Sequence, residues 1–517
     1  MKRELVLVWN VVLLLLLSGA CTNDSSQNRV EKSSPPNIIL ILADDLGYNE
    51  LGCYGQTKIE TPNIDSLARQ GMRFTQHYSG SPVCAPSRCV LMTGKHTGHA
   101  HVRSNDEWGE RGEVWDFAKA VEDPGLEGQR PIPADTITVG KLLQAAGYKT
   151  ACIGKWGLGA PLTEGVPNKQ GFDFFFGYNC QRQAHTYYPR HLWRNEEKVW
   201  LDNELVVPNT TLDQGADPND PNSYSKFELN QYAPALMLEE ALGFIERNRT
   251  QPFFLYFASP IPHNPLQAPK KWVEYYREKF GPEDPYLGEK RYFPHQFPHA
   301  AYAGMVSYLD EQVGQIVRKL QEHRLHENTL ILFSSDNGPT YGGGADSPFF
   351  ESAKPFKCEF GYGKGFVHEG GIRIPMIAKW PGNIQPGSES DHISAFWDLL
   401  PTLCEVAGAT IPDGIDGISF LPTLTGTGAQ KAHEFLYWEF PSYTGQQAVR
   451  MGDWKGLRKG IFEGNLEIEL YNLKTDIQEQ NNVAAEHPEI VDKIEGIMKR
   501  EHVPSVVDRF KIKELGD

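Results

Sequence analysis

Residues 37–43 (NIILILA) form an unbroken apolar, β-branched run, the pattern of a strand buried on both faces. The runs at 252–258 (PFFLYFA) and 329–333 (TLILF) have the same character, and residues 150–153 and 374–380 predict two more strands. Between these runs the period becomes helical. Leu236, Leu238, Ala241, Leu242 and Ile245 predict a helix over 233–248, and a longer amphipathic helix is predicted over 300–323. Thr61-Pro62 opens a helix that Gly71 stops, residues 138–146 form another stopped by Gly147, and 395–407 a further one. Strands alternating with helices predict an α/β fold, with a mostly parallel central sheet and helices on both faces.

In such folds ligands bind beyond the carboxyl ends of the strands. Four predicted strands lead into polar side chains there: Asp44 and Asp45, Lys155, His263, and Asp336 with Asn337. Each alone reads equally well as a strand-end cap or a turn residue; four together predict convergence on one site. After Gly338 comes a long glycine-rich loop carrying Lys364, then Glu369-Gly370-Gly371. Residues 203–225 are polar and aperiodic, the pattern of a surface insertion. The small, polar stretch 423–431 is a candidate linker. Beyond it, strands at 434–440, 448–458 and 467–472 and a helix over 488–500 predict a small α+β domain. The boundaries expected are 37–424 for the larger domain and 432–517 for the smaller. There are no internal repeats.

The 517 residues are 40% hydrophobic, enough for a sizeable core, and carry a net charge of −16. That balance excludes a general nucleic-acid binder, which would show basic stripes. It leaves room for an anionic substrate in a locally positive pocket. Eight cysteines in this length are no disulfide scaffold, and none lies in a C-x-x-C zinc pair. At the N-terminus, Lys2-Arg3, the apolar run 11–17 and Ser18-Gly19-Ala20-Cys21 read as an export signal over 1–21. Small residues before Cys21 resemble a bacterial lipoprotein box, which predicts a lipid anchor in the cell envelope, periplasmic or on the outer membrane. An ordinary signal cleaved near Ala20 and a short membrane anchor are the alternatives. Residues 22–36 read as a polar tether.

The stretch with the most specific chemistry is Ser81-Pro82-Val83-Cys84-Ala85-Pro86-Ser87-Arg88-Cys89. Pro86 suits the first turn of a helix that runs to Gly94, so Cys84 is expected just ahead of a helix N-terminus, where an anion is favoured. Arg88 adds a cation suited to a tetrahedral oxyanion. A structural cysteine, or a disulfide with Cys89, is the alternative. Asp44, Asp45, Asp336 and Asn337 supply hard oxygen ligands, a set for Ca²⁺ or Mg²⁺ rather than zinc.

Cys84-x-Pro86-x-Arg88 resembles the signature of the formylglycine-dependent (type I) sulfatases, of alkaline phosphatase-like fold. Asp44-Asp45-x-Gly47, Gly154-Lys155-Trp156, Pro262-His263-x-Pro265, Ser335-Asp336-Asn337-Gly338, Gly363-Lys364-Gly365 and Glu369-Gly370-Gly371-x-Arg373 follow in that family's order, and Met451–Lys455 and Glu469–Leu473 look like its second domain. The resemblance spans about residues 37 to 510. It implies that a maturation enzyme oxidises Cys84 to formylglycine (3-oxoalanine), which attacks a sulfate ester beside one bound Ca²⁺. It implies that Asp44, Asp45, Asp336, Asn337 and the oxidised Cys84 are ligands, that Arg88, Lys155 and Lys364 hold sulfate oxygens, and that His263, with Lys364, assists the leaving alcohol. The expected substrate is a sulfated glycan. One position departs: the family commonly has a histidine, its base for the last step, where this chain has Gly157. His185 is the candidate replacement, with His96, His99 and His101 behind it; the aromatics around His185 could equally form a sugar-binding wall. The rival readings are a phosphomonoester or phosphonate hydrolase of the same superfamily and a non-catalytic lipoprotein that binds sulfated glycans.

Overall fold

Strand β1 (Asn37–Ala43) is fully buried because it lies mid-sheet with both faces covered. The computed structural model describes residues 35–517; the predicted export signal, Cys21 and all but the end of the tether lie outside them. The remaining strands of the larger domain follow as β2 (Met72–Phe74), β3 (His77–Tyr78), β4 (Lys149–Lys155), β5 (Phe174–Tyr178), β6 (His191–Arg194), β7 (Glu197–Trp200), β8 (Phe253–Ala258), β9 (Thr329–Ser335), β10 (Met376–Lys379), β11 (Ser388–Ser390) and β12 (Ser394–Ala395). Ten of them form one sheet, in the order β11-β2-β10-β9-β1-β8-β4-β5-β6-β7. Its centre, β9-β1-β8-β4-β5, is parallel. Toward the edges β10 runs antiparallel to β9 and to β2, and β6 antiparallel to β5 and to β7.

Alternate residues of β1 serve two different cores. Ile38, Leu40 and Leu42 pack on the side that includes Val90 and Leu91 of the helix Cys84–Thr93 and Leu400 and Leu403 of Leu399–Ala407. Ile39, Ile41 and Ala43 pack on the opposite side, with residues of the helices Pro62–Arg69, Ala233–Arg247 and Pro298–Glu322. Burial on both faces is why these strands read as continuous apolar runs. The five strands and the helices predicted for the larger domain form within about three residues of their expected ends, except that the last helix begins at Leu399 after a short 3₁₀ turn. The short strands β2, β3, β5, β6, β7, β11 and β12 and the helix Lys270–Phe280 were not predicted; most carry too few residues for a period to register.

The C-terminal part is a four-stranded antiparallel sheet, β13 (Leu436–Phe440), β14 (Gln446–Met451), β15 (Trp454–Lys459) and β16 (Glu469–Asn472), packed against the helix Pro488–Glu501. The expected single strand over 448–458 is two strands, because Gly452 (φ +58°) turns the chain into a hairpin. The expected linker contains the short helix Leu421–Thr425. From β15, Lys455 reaches Glu369 Oε1 and Glu479 Oε1, both at 2.9 Å, with all three side chains buried. Glu369 also takes Arg373 Nη1 at 3.1 Å and the Tyr78 hydroxyl at 2.8 Å. This knot ties the C-terminal sheet to the loop that carries Lys364. Removing one member of a buried charge pair costs about 3–5 kcal/mol, so Lys455→Met is expected to lower unfolding stability by that order in a denaturant titration. An unchanged midpoint would show that the knot bears no weight.

Candidate active site

The register of the central strands builds the site. Ala43 pairs with Ser335, and Ala258 with both Leu42 and Gly154. The next residues therefore leave the sheet in one row: Asp336 from β9, Asp44 from β1 and, closing β4, Lys155. The Asp336 N–H donates to the Ala43 carbonyl at 3.0 Å, which fixes the two chain ends side by side. Asp45 then takes a left-handed conformation (φ +66°), tolerated by aspartate better than by most residues, and its N–H donates to Asp336 Oδ1 at 3.1 Å.

The helix Cys84–Thr93 presents its first residue to this row. Cys84 is helical rather than ahead of the helix as predicted, with Val83 as N-cap and Pro86 at the third position. Its Sγ lies 3.3 Å from Asp44 Oδ1 and 3.9 Å from Asp45 Oδ1. Cys84 and Cys89 are both free thiols, as is every cysteine among the described residues, so the disulfide alternative falls away. Burial, then Asp44, pushes the Cys84 thiol well above its ordinary value. A thiolate nucleophile is thereby disfavoured at neutral pH.

The predicted cations close around the carboxylates. Arg88 Nε and Nη2 donate to Asp336 Oδ2 at 3.0 and 2.9 Å, and Nη1 donates to the Lys155 carbonyl. Lys155 Nζ donates to Asp44 Oδ2 at 2.6 Å and Lys364 Nζ to Asp45 Oδ2 at 2.7 Å. Asp44 is held well below the usual carboxylate range: burial opposes its charge, but Lys155, His263, Arg88 and Lys364 outweigh it. Asp336 is pushed up to about 7 by burial and by Asp44. Burial opposes the charge on Lys364, but its ion pair with Asp45 outweighs it. Gly365 (φ +88°) explains part of the Gly-Lys-Gly spacing, since a Cβ there would lie 2.8 Å from the Tyr443 ring.

His263 Nε2 lies 3.7 Å from Asp45 Oδ2, while Nδ1 is 2.5 Å from the Asn264 carbonyl. That carbonyl can only accept, so Nδ1 carries the proton and Nε2 is the atom that takes or gives one. Burial, then Lys364 and Lys155, holds the ring well below its ordinary value, so it is neutral near pH 7. His185 stacks on it with centroids 5.6 Å apart. Its own value is also lowered, first by burial and then by His263, and its ring contacts are with His263 and Tyr292. His96 and His99 lie elsewhere, stacked together beside Asp416.

Gly157 is left-handed (φ +81°), and a Cβ there would sit 3.1 Å from Gln181 Cγ. The Gln181 side chain thus crowds the direction a histidine would take. Its Nε2 donates to Asn105 Oδ1 at 3.0 Å, and Asn105 accepts from the Ala85 N–H at 3.1 Å, next to Cys84. Neither Gln181 nor Asn105 carried a sequence signal, being single amides in irregular segments. Tyr292, whose ring stands edge-on to both His185 and His263, was also missed, for the same reason.

The four oxygen-bearing residues fit a hard divalent cation. Asn337 Nδ2 donates to Asp45 Oδ1 at 2.8 Å, yet Asn337 Oδ1 is buried with no hydrogen-bond partner among the described residues. An orphaned carbonyl among three buried carboxylates is the donor set such an ion takes. Asp44, Asp45 and Asp336 are balanced by Arg88, Lys155 and Lys364. A dication added to that set leaves a positive site, as an anionic ester requires.

With this geometry the comparisons agree. A family model described as "Sulfatase" matches residues 36–409. The chain belongs to the sulfatase family. A second model, "N-sulphoglucosamine sulphohydrolase, C-terminal", matches residues 358–503. Human arylsulfatase A is 33% identical over 442 residues, covering 81% of this chain and 74% of that protein. N-acetylgalactosamine-6-sulfatase of the dog is 32% identical over 441 residues, covering 81% and 70%. Among solved structures, one titled "Crystal structure of Ps i-CgsB" superposes with a TM-score of 0.70 at 28% identity, covering 90% of this chain and 92% of that one. This sulfatase is therefore a sulfuric ester hydrolase with an alkaline phosphatase-like fold.

Proposed function

We propose that this sulfatase hydrolyses sulfate esters of a carbohydrate, with a nucleophile made from Cys84 by oxidation to formylglycine and one Ca²⁺ held by Asp44, Asp45, Asp336 and Asn337. The observation that carries the reading is the buried, high-pKa Cys84 thiol, 3.3 Å from Asp44 and walled by three cations. An unmodified thiol in that setting is a poor nucleophile and a poor proton donor, whereas an oxygen on the same carbon would join the ligand set. The carbohydrate substrate is supported by the relatives: one is an N-acetylgalactosamine-6-sulfatase, and the i-CgsB protein is described in complex with a neocarrahexaose.

When bound, the ion supplies Lewis-acid polarisation and the oxidised side chain supplies the attacking oxygen. The chain's own groups do the rest. Arg88, fixed at two points to Asp336, and Lys155 and Lys364 bind the sulfate oxygens and stabilise the charge that grows on them. His263 Nε2, with Lys364 Nζ beside it, delivers a proton to the departing alcohol oxygen. The negative sulfate between the two lysines offsets the charge that keeps the free ring neutral. The rings of His185 and Tyr292 pack against His263 and hold its orientation. His185 takes the proton of the last step, the role left vacant at Gly157: it is neutral, unpaired by hydrogen bonds among the described residues and stacked on His263.

Cys84→Ala is expected to abolish turnover of an aryl sulfate with the fold intact. In the parent, mass spectrometry of the tryptic peptide containing Cys84 is expected to find an aldehyde in place of the thiol. Full activity in the variant, or an unmodified thiol in a fully active preparation, would reject the nucleophile. Paired aryl sulfate and aryl phosphate rates separate this reading from a phosphoester hydrolase.

Asp336→Ala removes a carboxylate that faces both the ion and Arg88. Calorimetric titration is expected to give calcium binding weaker by more than ~100-fold. Equal affinity would move the ion elsewhere.

His185→Ala is expected to lower kcat by ~10²–10⁴-fold on the aryl ester, as a lost proton acceptor does. A raised KM for a saccharide with the aryl ester untouched would make His185 a wall of the sugar site instead.

A further inference from the structure

The cleft that opens over Lys364 is much larger than the group the three cations hold. It measures about 1220 Å³ and is lined by Tyr292, Tyr341 and Tyr443, with Lys290 and Arg291 along one wall. That exceeds the ~300–1,000 Å³ of a site for one small ligand. On a protein of net charge −16, cations left unpaired in such a cleft call for an explanation.

Arg291 is exposed, and its guanidinium has no ion pair or hydrogen bond among the described residues. Three carboxylates line the same cleft, Asp284, Glu289 and Asp346, and none of them pairs with Arg291 among the described residues. Asp346 is taken by His299 Nε2 and the Phe349 N–H, each at 3.0 Å, and Glu289 Oε2 accepts from the Leu287 N–H at 3.3 Å.

The backbone holds Arg291 in place at a cost. Arg291 (φ +71°) and Tyr292 (φ +63°) are consecutive left-handed residues without a glycine between them. Non-glycine residues keep such a conformation only where the surroundings over-determine it. Here Tyr286 and His295 exchange two backbone hydrogen bonds of 2.9 Å that close the segment. The Lys290 N–H donates to the Tyr286 hydroxyl at 2.9 Å, and that hydroxyl donates to the Arg291 carbonyl. The Tyr292 N–H donates to Asn209 Oδ1 at 2.8 Å, from the polar insertion. The result sets the Tyr292 ring edge-on to His263, 5.8 Å between centroids, and turns the preceding residue, Arg291, into the cleft.

We propose that Arg291 is a specificity-determining residue that binds a second oxyanion of the glycan, a sulfate ester or a uronate carboxylate, on a sugar next to the one being desulfated. This rests on the sulfatase reading above. A planar guanidinium suits either oxyanion through paired N–H donors.

The test is calorimetric binding to the full chain carrying Cys84→Ala, so that nothing turns over. One pair of probes is a monosulfated disaccharide and its disulfated counterpart. The other is a monosulfated disaccharide ending in a uronate and the same compound with the carboxylate reduced to an alcohol. At least one pair is expected to show ~10-fold tighter binding of the more anionic member, consistent with a charge-assisted contact. The pair that discriminates identifies the oxyanion. Adding Arg291→Ala should shrink the difference to under ~2-fold and leave the less anionic member unchanged. Arg291→Gly, which relaxes the left-handed position, should do the same and guards against misfolding. No discrimination by either pair, or discrimination that survives both substitutions, would overturn the proposal. Aryl sulfate turnover by the chain with Cys84 intact is read separately. Its absence beside an intact Arg291 effect would reject the sulfatase reading and leave the oxyanion site standing.

Discussion

Three buried carboxylates, Asp44 and Asp45 after β1 and Asp336 after β9, are the constraint on which the rest of this structure depends. Such a cluster repels itself, and burial adds to the cost. Arg88, Lys155 and Lys364 offset it, each from a different part of the chain: the helix Cys84–Thr93, the end of β4 and the glycine-rich loop. The fold brings these three segments to the one edge of the sheet where β1 and β9 end in register.

The same electrostatics tie structure to chemistry. Matched charges make the polypeptide's own site close to neutral, so on the proposed reading its affinity for an anionic ester would come with the cation. The pKa directions agree. Asp44 is held down by its lysine and arginine partners, Asp336 is lifted by burial and a neighbouring carboxylate, and Asn337 keeps an unpaired oxygen. The C-terminal sheet takes part as well, since Lys455 clamps Glu369 beside the loop of Lys364 and Tyr443 packs on Gly365. The smaller domain thus steadies one wall of the cleft.

Much of this was legible in the residues alone. Continuous apolar runs announced the central strands, because a parallel strand covered on both faces has no polar side to show. The residues after those runs pointed to where side chains would gather, because ligands collect where parallel strands end. Asp44, Asp45, Cys84, Arg88, Lys155, His263, Asp336, Asn337 and Lys364 all converge in the structure, and His185 stands against His263. Each lies in a short motif of charged or reactive residues, so each left a mark in the sequence.

Other features had no such mark. Periodicity cannot register a strand of two to four residues, and it merged β14 with β15 across Gly452. It could not say that β10 runs antiparallel, since an apolar run has no direction. The opposition of Gln181 and Gly157, the Asn105 link to the Ala85 amide, and the strained Arg291–Tyr292 turn depend on contacts between segments far apart in the chain. The sequence by itself determined which side chains could carry the chemistry and that parallel strand ends would gather them. Only the tertiary structure decided which amides and aromatics surround them, because those neighbours are selected by strand register and loop packing, which no local pattern encodes.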